Sequence, residues 1–175
     1  ALTSNPWAGL SSYQDPKYTD NPLKFSGRED DIYDLTRMVM KNIFVTLYGK
    51  SGIGKTSLLN AGVFPSLREA GFLPVSVRLN IEAADCSFQQ CIIARLENLV
   101  REGVTIKTVN GVEMPSDESA QDYLWAYFAR TRFIAEDGRT VFPVLAFDQF
   151  EEVFARRRKE AETLLFQLAF LADES

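Results

Sequence analysis

Histidine is absent from this chain of 175 residues. Its absence excludes catalytic triads and general bases that use an imidazole, and it removes the commonest transition-metal ligand of proteins. Cysteine is rare, with only Cys86 and Cys91. Their spacing of five on what reads as one helix does not bring them onto a common face, so we predict two reduced thiols. Any chemistry must therefore rest on lysine, carboxylates, hydroxyls and the backbone.

Long apolar runs and an excess of positive charge are also missing. No apolar run approaches the roughly 20 residues that a transmembrane helix needs. The net charge of -5 provides no bulk attraction to nucleic acid or to an anionic membrane. The basic run at 156–159 is flanked by glutamates, which favours a solvated helix face, with a subunit contact as the next option. We therefore expect a cytoplasmic protein that binds neither a membrane nor nucleic acid directly.

The order of the predicted elements indicates an α/β fold. Residues 1–24 form an irregular lead-in, and residues 103–116 read as a loop. Helical spacing of apolar residues predicts helices from Gly27, over 55–70, after the capping box of Ser87 and Gln90, over 117–135, and from about 156 to 172. Apolar β-rich runs predict strands over 42–49, 73–80 and 140–148. Strands that alternate with helices and are apolar throughout are typical of a buried parallel sheet.

The stretch YGKSGIGKTSLLNAG at 48–62 is the strongest motif in the chain. It contains the phosphate-loop pattern G-x-x-x-x-G-K-[ST] between a predicted strand and a predicted helix. Glycines let backbone N–H groups wrap around phosphate oxygens, and the start of the helix adds a positive end. We predict that Lys55 reaches the β- and γ-phosphates and that Thr56 binds Mg²⁺. The predicted nucleotide-binding residues of this loop are Gly49, Ser51, Gly52, Ile53, Gly54, Lys55, Thr56 and Ser57.

Lys50 has a different expected role, because it reads as a solvated loop charge. The segment VLAFDQFEE at 144–152 has the form of a Walker B strand, and its Asp148 is the predicted second metal ligand. Gln149 follows directly and cannot act as a base. We expect Glu151 to orient the attacking water, with Glu152 as the second choice. The alternative is that both glutamates simply begin the next helix, where acidic residues are favourable.

Four segments together resemble one known family. They are NPWAGLSSY at 5–13, FSGRED at 25–30, SLLNAGVFPSLREAG after the phosphate loop, and DQFEEVF at the Walker B position. In this order they resemble the STAND NTPases, signal-transduction ATPases with numerous domains, most closely the bacterial novel-STAND group. The resemblance implies that Phe25, Gly27 and Arg28 line the base and ribose. The alternative is that Phe25 is simply a core aromatic residue and that Arg28 pairs with Glu29 or Asp31 in the first turn of the helix. The positions of Glu151 and Glu152 are also similar to an acidic pair in NACHT-type members.

The resemblance implies a regulatory switch rather than a metabolic enzyme. The expected protein is a slow ATPase that binds ATP or ADP with Mg²⁺, is off with ADP, and with ATP assembles into a homo-oligomer that activates an effector domain. Sensor and effector domains are expected partners, and antiviral defence is a possible setting. The implied fold is a P-loop three-layer sandwich with a central parallel sheet. We expect 25–175 to be only the N-terminal part of that domain, with the remaining strands and the lid beyond 175.

Two other function classes remain open at this stage. An AAA+ ATPase acting on DNA or protein complexes would want a basic surface and a glutamate directly after Asp148, and the chain has neither. A small-molecule kinase is harder to exclude, and phosphate transfer from ATP to a metabolite would identify it. A GTPase would show D-x-x-G and N-K-x-D, and neither motif occurs. The core is expected to include Trp125, Tyr127 and Phe128, because they lie at helical spacing.

Overall fold

A computed structural model describes residues 27–50, 52–79, 86–109 and 111–173. The chain divides into two compact units, Ala1–Pro74 and Val75–Ser175, and the division falls inside the first strand. The helices are α1 (Glu29–Lys41), α2 (Lys55–Leu58), α3 (Phe64–Glu69), α4 (Phe88–Glu97), α5 (Tyr123–Arg130), α6 (Phe150–Arg156) and α7 (Arg158–Asp173). The strands are β1 (Phe72–Arg78), β2 (Thr105–Thr108), β3 (Thr131–Ile134) and β4 (Thr140–Asp148). No described helix has the length and apolar character that crossing a membrane requires.

The described part of the first unit consists mainly of helices. Helix α1 has three acidic residues in its first turn and Lys41 in its last, which suits the helix dipole. Helices α2 and α3 are joined by a π-helical turn, Leu59–Val63, so the predicted helix over 55–70 is confirmed with a wider turn in its middle. Val63, Phe64 and Leu67 are buried. The helical stretch ends as predicted at Gly71, whose φ of 89° suits glycine.

The strand predicted over 42–49 is wrong for this structure. Residues 42–50 have no strand assignment and are all exposed. Ile43, Phe44 and Tyr48 are 68%, 58% and 89% exposed, although the sequence pattern is that of a buried strand. A strand needs a neighbouring strand to pair with, and none of the described strands pairs with this segment.

The second unit contains a four-stranded mixed sheet in the order β1-β4-β3-β2. The α/β class is confirmed, but the purely parallel sheet is not, because β2 pairs antiparallel with β3 and β3 pairs antiparallel with β4. Phe133 lies opposite Val141, and the short link between β3 and β4 closes a hairpin. The P-loop three-layer sandwich stays a prediction.

Two further element predictions need correction. The helix predicted over 117–135 is confirmed only over α5, because Thr131 and Phe133 are buried on alternate positions of β3. The loop predicted over 103–116 contains β2, which was missed because its four residues carry only one apolar side chain, Ile106. Strands β1 and β4 and helix α7 are confirmed close to the predicted bounds.

Helices α4, α5 and α7 supply most of the second unit's core. Phe88, Ile92, Leu96, Leu124 and Leu164 are all fully buried. The predicted capping box is confirmed, because the Ser87 hydroxyl accepts from the Gln90 N–H and the Gln90 side chain accepts from the Ser87 N–H. Among the aromatic residues expected in the core, Tyr127 is buried, and Trp125 and Phe128 are half-buried.

The expectation for the two cysteines is half right. No disulfide joins Cys86 and Cys91. Their sulfurs nevertheless lie 3.2 Å apart, so the prediction that the spacing keeps them separate is wrong. The reason is that Cys86 precedes the N-cap Ser87, so only Cys91 belongs to the helix.

Candidate functional site

The phosphate loop has the backbone that its glycines predict. Gly52 and Gly54 have φ of 79° and 89°, values at which a side chain would be strained, and Gly54 is the N-cap of α2. A Cβ added at Gly52 would meet no atom within 4 Å, so the glycine leaves open space beside the loop. The loop therefore exposes backbone groups and leaves open space where the motif predicts that phosphate binds.

Lys55 folds its side chain back over the loop. Its Nζ donates to the carbonyl oxygens of Gly49 at 2.8 Å and of Lys50 at 3.2 Å. The ammonium group is thus held at the mouth of the loop, beside the first residues of a helical stretch that continues to Glu69. A positive charge and the exposed N–H groups of a helix start are both complementary to a polyphosphate.

Arg28 links helix α1 to the phosphate loop. Its Nη1 donates to the Ile53 carbonyl at 3.2 Å, and its Nε donates to Asp31 at 2.7 Å. The Gly27 N–H donates to the Glu29 carboxylate at 3.0 Å, and Gly27 has a φ of 86°. The structure therefore places Arg28 against the loop, and its pairing with Asp31 also fits the alternative of an ion pair in the first turn of α1. A contact of Gly27 or Arg28 with base or ribose stays a prediction.

Gly62 is a further residue of this unit to which the sequence analysis gave no role. A Cβ at this position would lie 2.5 Å from both Cδ1 and Cγ1 of Ile32 on α1. The glycine therefore allows α1 to pack closely against the π-helical turn behind the phosphate loop. The sequence does indicate a close neighbour here, because the pair Ala61 and Gly62 lies inside a predicted helix. A glycine inside a helix usually has a packing or functional reason.

The hydroxyls at the start of α2 complete the predicted nucleotide site. Thr56 is half-buried, and Ser57 is 9% exposed. A lysine ammonium, two hydroxyls and a glycine cradle at a helix start fit a nucleotide polyphosphate with its Mg²⁺. Phe25 and Ser51, which were also predicted to bind nucleotide, lie outside the described residues.

The predicted acidic residues follow β4 in the second unit. Asp148 is the last residue of β4 and is exposed. Glu151 and Glu152 lie in the first turn of α6, where Glu151 is exposed and Glu152 is half-buried. Their position also fits the alternative that both glutamates simply favour a helix N-terminus. Their roles in metal binding and hydrolysis stay predictions.

Gln149 gives this segment its shape. Its φ of 55° makes it the one non-glycine residue with positive φ in the described part of the chain. The left-handed conformation ends β4 at Asp148 and starts α6 at Phe150, with the Glu152 N–H donating to the Gln149 carbonyl at 3.1 Å. Strained backbone of this kind concentrates at functional sites. From the sequence alone, Gln149 has no predicted role, because it cannot act as a base.

The described residues contain no cluster of three or more histidine, cysteine or acidic side chains able to hold a metal ion. Mg²⁺ does not need such a cluster, because it commonly keeps water ligands and binds one or two protein oxygens together with substrate phosphates. The absence of such a cluster therefore does not contradict the predicted roles of Thr56 and Asp148, which stay predictions.

The comparisons with known proteins agree with this reading of the motifs. The family model described as Novel STAND NTPase 1 matches residues 6–175, which is nearly the whole chain. No curated protein and no solved structure matches the chain.

Proposed function

Because this chain belongs to the Novel STAND NTPase 1 family, we propose that it binds ATP with Mg²⁺ and hydrolyses it slowly as a regulatory switch. The family is one of nucleoside triphosphatases. The observation that carries the proposal is the phosphate loop, in which the Lys55 ammonium lies on the carbonyls of Gly49 and Lys50 at the start of a helix. An adenine nucleotide as ligand is the specific part of the proposal.

The residues of the proposed site, in the loop and outside it, have separate roles in this mechanism. Lys55 exchanges its two carbonyl partners for β- and γ-phosphate oxygens, and the N–H groups after Gly54 hold the same phosphates. Thr56 and Asp148 would hold Mg²⁺, which supplies positive charge toward the phosphates when it is bound. Arg28 keeps the loop attached to α1 through the Ile53 carbonyl.

Hydrolysis needs a group that orients water near the γ-phosphate. Glu151 is exposed in the first turn of α6 and is available for this task, whereas Gln149 is neutral. Slow turnover suits a switch, because rapid hydrolysis would end the active state before it could signal. We propose that the ATP-bound state assembles into a homo-oligomer that activates an effector domain, with antiviral defence as a possible setting.

Isothermal titration of the full chain with ATP, ADP and GTP in the presence of Mg²⁺ tests the binding proposal. We expect ATP and ADP to bind and GTP to bind at least about tenfold more weakly, a difference of about 1.4 kcal/mol. Lys55→Ala should remove most of the ATP affinity. Lys50→Ala is the matched control, because it removes the neighbouring charge that we expect to be solvated, and it should change the affinity by less than about twofold.

Two outcomes would contradict the proposal. Equal affinity for GTP and ATP would remove the adenine assignment. Unchanged ATP affinity in Lys55→Ala would remove the phosphate loop as the binding site, provided that the circular dichroism spectrum of the variant matches that of the wild type.

A further inference from the structure

Two thiols lie side by side at the start of α4, and the proposed function uses neither of them. The Sγ atoms of Cys86 and Cys91 are 3.2 Å apart. A disulfide bond brings sulfurs to about 2.05 Å, so closing one here requires an approach of about 1.1 Å. Both residues are half-buried, which leaves the pair accessible to a small reagent.

The capping box of α4 brings the two thiols together. The Gln90 N–H donates to the Ser87 hydroxyl at 3.1 Å, and this bond fixes the turn between Cys86 and the helix. The Cys86 thiol donates to the Ser87 carbonyl at 3.4 Å. Cys91 lies one turn into α4, so the two cysteines flank the turn that the capping box holds.

Two other described segments bring charged groups to this turn. The Nη2 of Arg157 donates to the Cys86 carbonyl at 3.2 Å, and the guanidinium lies 4.5 Å from the centre of the Phe88 ring. The hydrogen bond to Glu160 raises the pKa of Arg157, against the smaller opposing effect of burial, so the guanidinium keeps its charge. Arg157 is therefore the positive charge close to the sulfurs.

A carboxylate holds the other side of the turn. Glu118 accepts from the Ser87 hydroxyl and from the Gln90 side-chain amide, both at 2.5 Å. Its oxygens are occupied by these neutral donors. Among the described residues, the guanidinium of Arg157 is therefore a charged group placed to stabilise a thiolate formed or released during exchange.

We propose that Cys86 and Cys91 form a thiol–disulfide exchange site that a low-molecular-weight disulfide of the glutathione type oxidises to an intramolecular disulfide. In the first step one cysteine, as a thiolate, attacks the small disulfide, forms a mixed disulfide and releases one small thiolate. In the second step the other cysteine loses its proton and attacks the mixed disulfide, releasing the second small thiolate. The two protons lost by the cysteines end on the two small thiols, so the reagent is reduced and the cysteine pair is oxidised.

Mass spectrometry of the full chain after equilibration in glutathione redox buffers tests the proposal. Samples are quenched with acid, alkylated and compared on a non-reducing gel. We expect a monomer that is lighter by two hydrogen atoms, carries no glutathione and has no thiol left to alkylate. The chain has only two cysteines, so this product identifies the Cys86–Cys91 bond directly.

Variants with the same number of thiols separate geometry from reactivity. The double substitution Cys91→Ala with Ala94→Cys moves one thiol to an exposed position three residues further along α4. It should form at least about tenfold less intramolecular disulfide than the wild type in the same buffer. Cys86→Ser and Cys91→Ser, with one thiol each, should give only the mixed disulfide.

Arg157→Gln tests the role of the positive charge. It should slow formation of the intramolecular disulfide several-fold, whereas Arg158→Gln, which removes an exposed neighbouring charge, should not. The proposal is overturned if the wild-type chain accumulates glutathione on both cysteines, if it forms only intermolecular disulfides, or if the relocated pair oxidises as readily as the native pair.

Discussion

Two apolar runs of the molecule have similar composition, but one is exposed and the other is largely buried. Residues 43–48 of the first unit read IFVTLY, yet Ile43 is 68% exposed and Phe44 is 58% exposed. In β1, Val75 and Val77 are 0% and 1% exposed. The difference is that β1 has β4 beside it in the sheet, whereas the described structure gives the segment at 43–48 no strand partner.

This contrast shows what an apolar pattern can and cannot predict. The local sequence shows an alternating or continuous pattern of apolar side chains, which favours burial. The hydrogen-bond partners of a strand are residues distant in the chain, which the local pattern does not show. The same pattern therefore succeeded for β1 and failed for 43–48. The phosphate loop directly after 43–48 keeps its glycine conformations even so, because they depend on local backbone preference.

Hydrogen exchange gives the largest expected difference between the two runs. Amides of residues 43–48 should exchange within about tenfold of the rate of an unfolded chain, because the described structure shows no backbone hydrogen bond for them. Amides of β3, which pairs with both β2 and β4, should exchange more slowly by orders of magnitude. Exchange resolved to single residues by NMR measures both. Protection of 43–48 equal to that of β3 would mean that this segment is a paired strand in solution.

Gly62 tests whether helix packing carries the stability of the first unit. Gly62→Ala should destabilise this unit by about 1–3 kcal/mol, because the new Cβ would lie 2.5 Å from two carbons of Ile32. Chemical denaturation of the wild type, Gly62→Ala, Ile32→Ala and the double variant forms a double-mutant cycle. In the Ile32→Ala background the cost of the alanine should nearly disappear. An equal cost in both backgrounds would show that a neighbour other than Ile32 governs this position, because helix propensity alone favours alanine over glycine.

Tyr127 lies in the second unit, and its substitution at pH 8 has the smallest expected effect on the free energy of unfolding. Its hydroxyl is buried without a hydrogen-bond partner among the described residues. Burial first, and the charge of Glu97 second, raise the pKa of Tyr127 from 10.0 to about 12. Tyr127→Phe removes an unpaired polar atom, so at pH 8 it should change the free energy of unfolding by no more than about 1 kcal/mol, toward greater stability.

The same residue predicts a dependence on alkaline pH. Because its pKa is higher in the folded protein, Tyr127 keeps its proton between pH 10 and 12 while the unfolded chain loses it. Stability should therefore fall across this window, by up to about 1.4 kcal/mol per pH unit from this group. Tyr127→Phe should lack this decline, whereas Tyr33→Phe, at a side chain that is 66% exposed, should retain it. Identical pH profiles for wild type and Tyr127→Phe would contradict the assignment.

The sequence predicted local features well and long-range pairing poorly. The capping box of Ser87 and Gln90, the end of a helix at Gly71 and the conformations of Gly52 and Gly54 depend on near neighbours, and the structure agrees with each expectation. Strand β3 was missed because TRFI continues the periodicity of α5, and only its pairing with β2 and β4 makes it a strand. The close approach of Cys86 to Cys91 was missed because Cys86 was counted on the helix, although it precedes the N-cap Ser87.

The candidate site shows the same difference between local features and long-range contacts. The residues that carry the chemistry stay a prediction of the motifs, and the structure shows only that the side chains of Arg28 and Lys55 contact the phosphate loop. The left-handed Gln149 could not be predicted, because its backbone conformation is imposed by the fold. The glycine at 62 indicated a close neighbour, but the sequence could not show that this neighbour is Ile32.

The most direct test of the central claim measures ATP binding and hydrolysis separately for one residue of each unit. The account predicts that Lys55→Ala in the first unit loses most of its ATP affinity and, with it, hydrolysis. Glu151→Gln in the second unit should bind ATP within about twofold of the wild type while its turnover falls by about 100-fold or more, the range for loss of a positioned general base. Glu162→Gln, at an exposed position of α7, is the control and should change neither quantity. Hydrolysis at the wild-type rate in both Glu151→Gln and Glu152→Gln, or undiminished ATP binding in Lys55→Ala, would contradict the account.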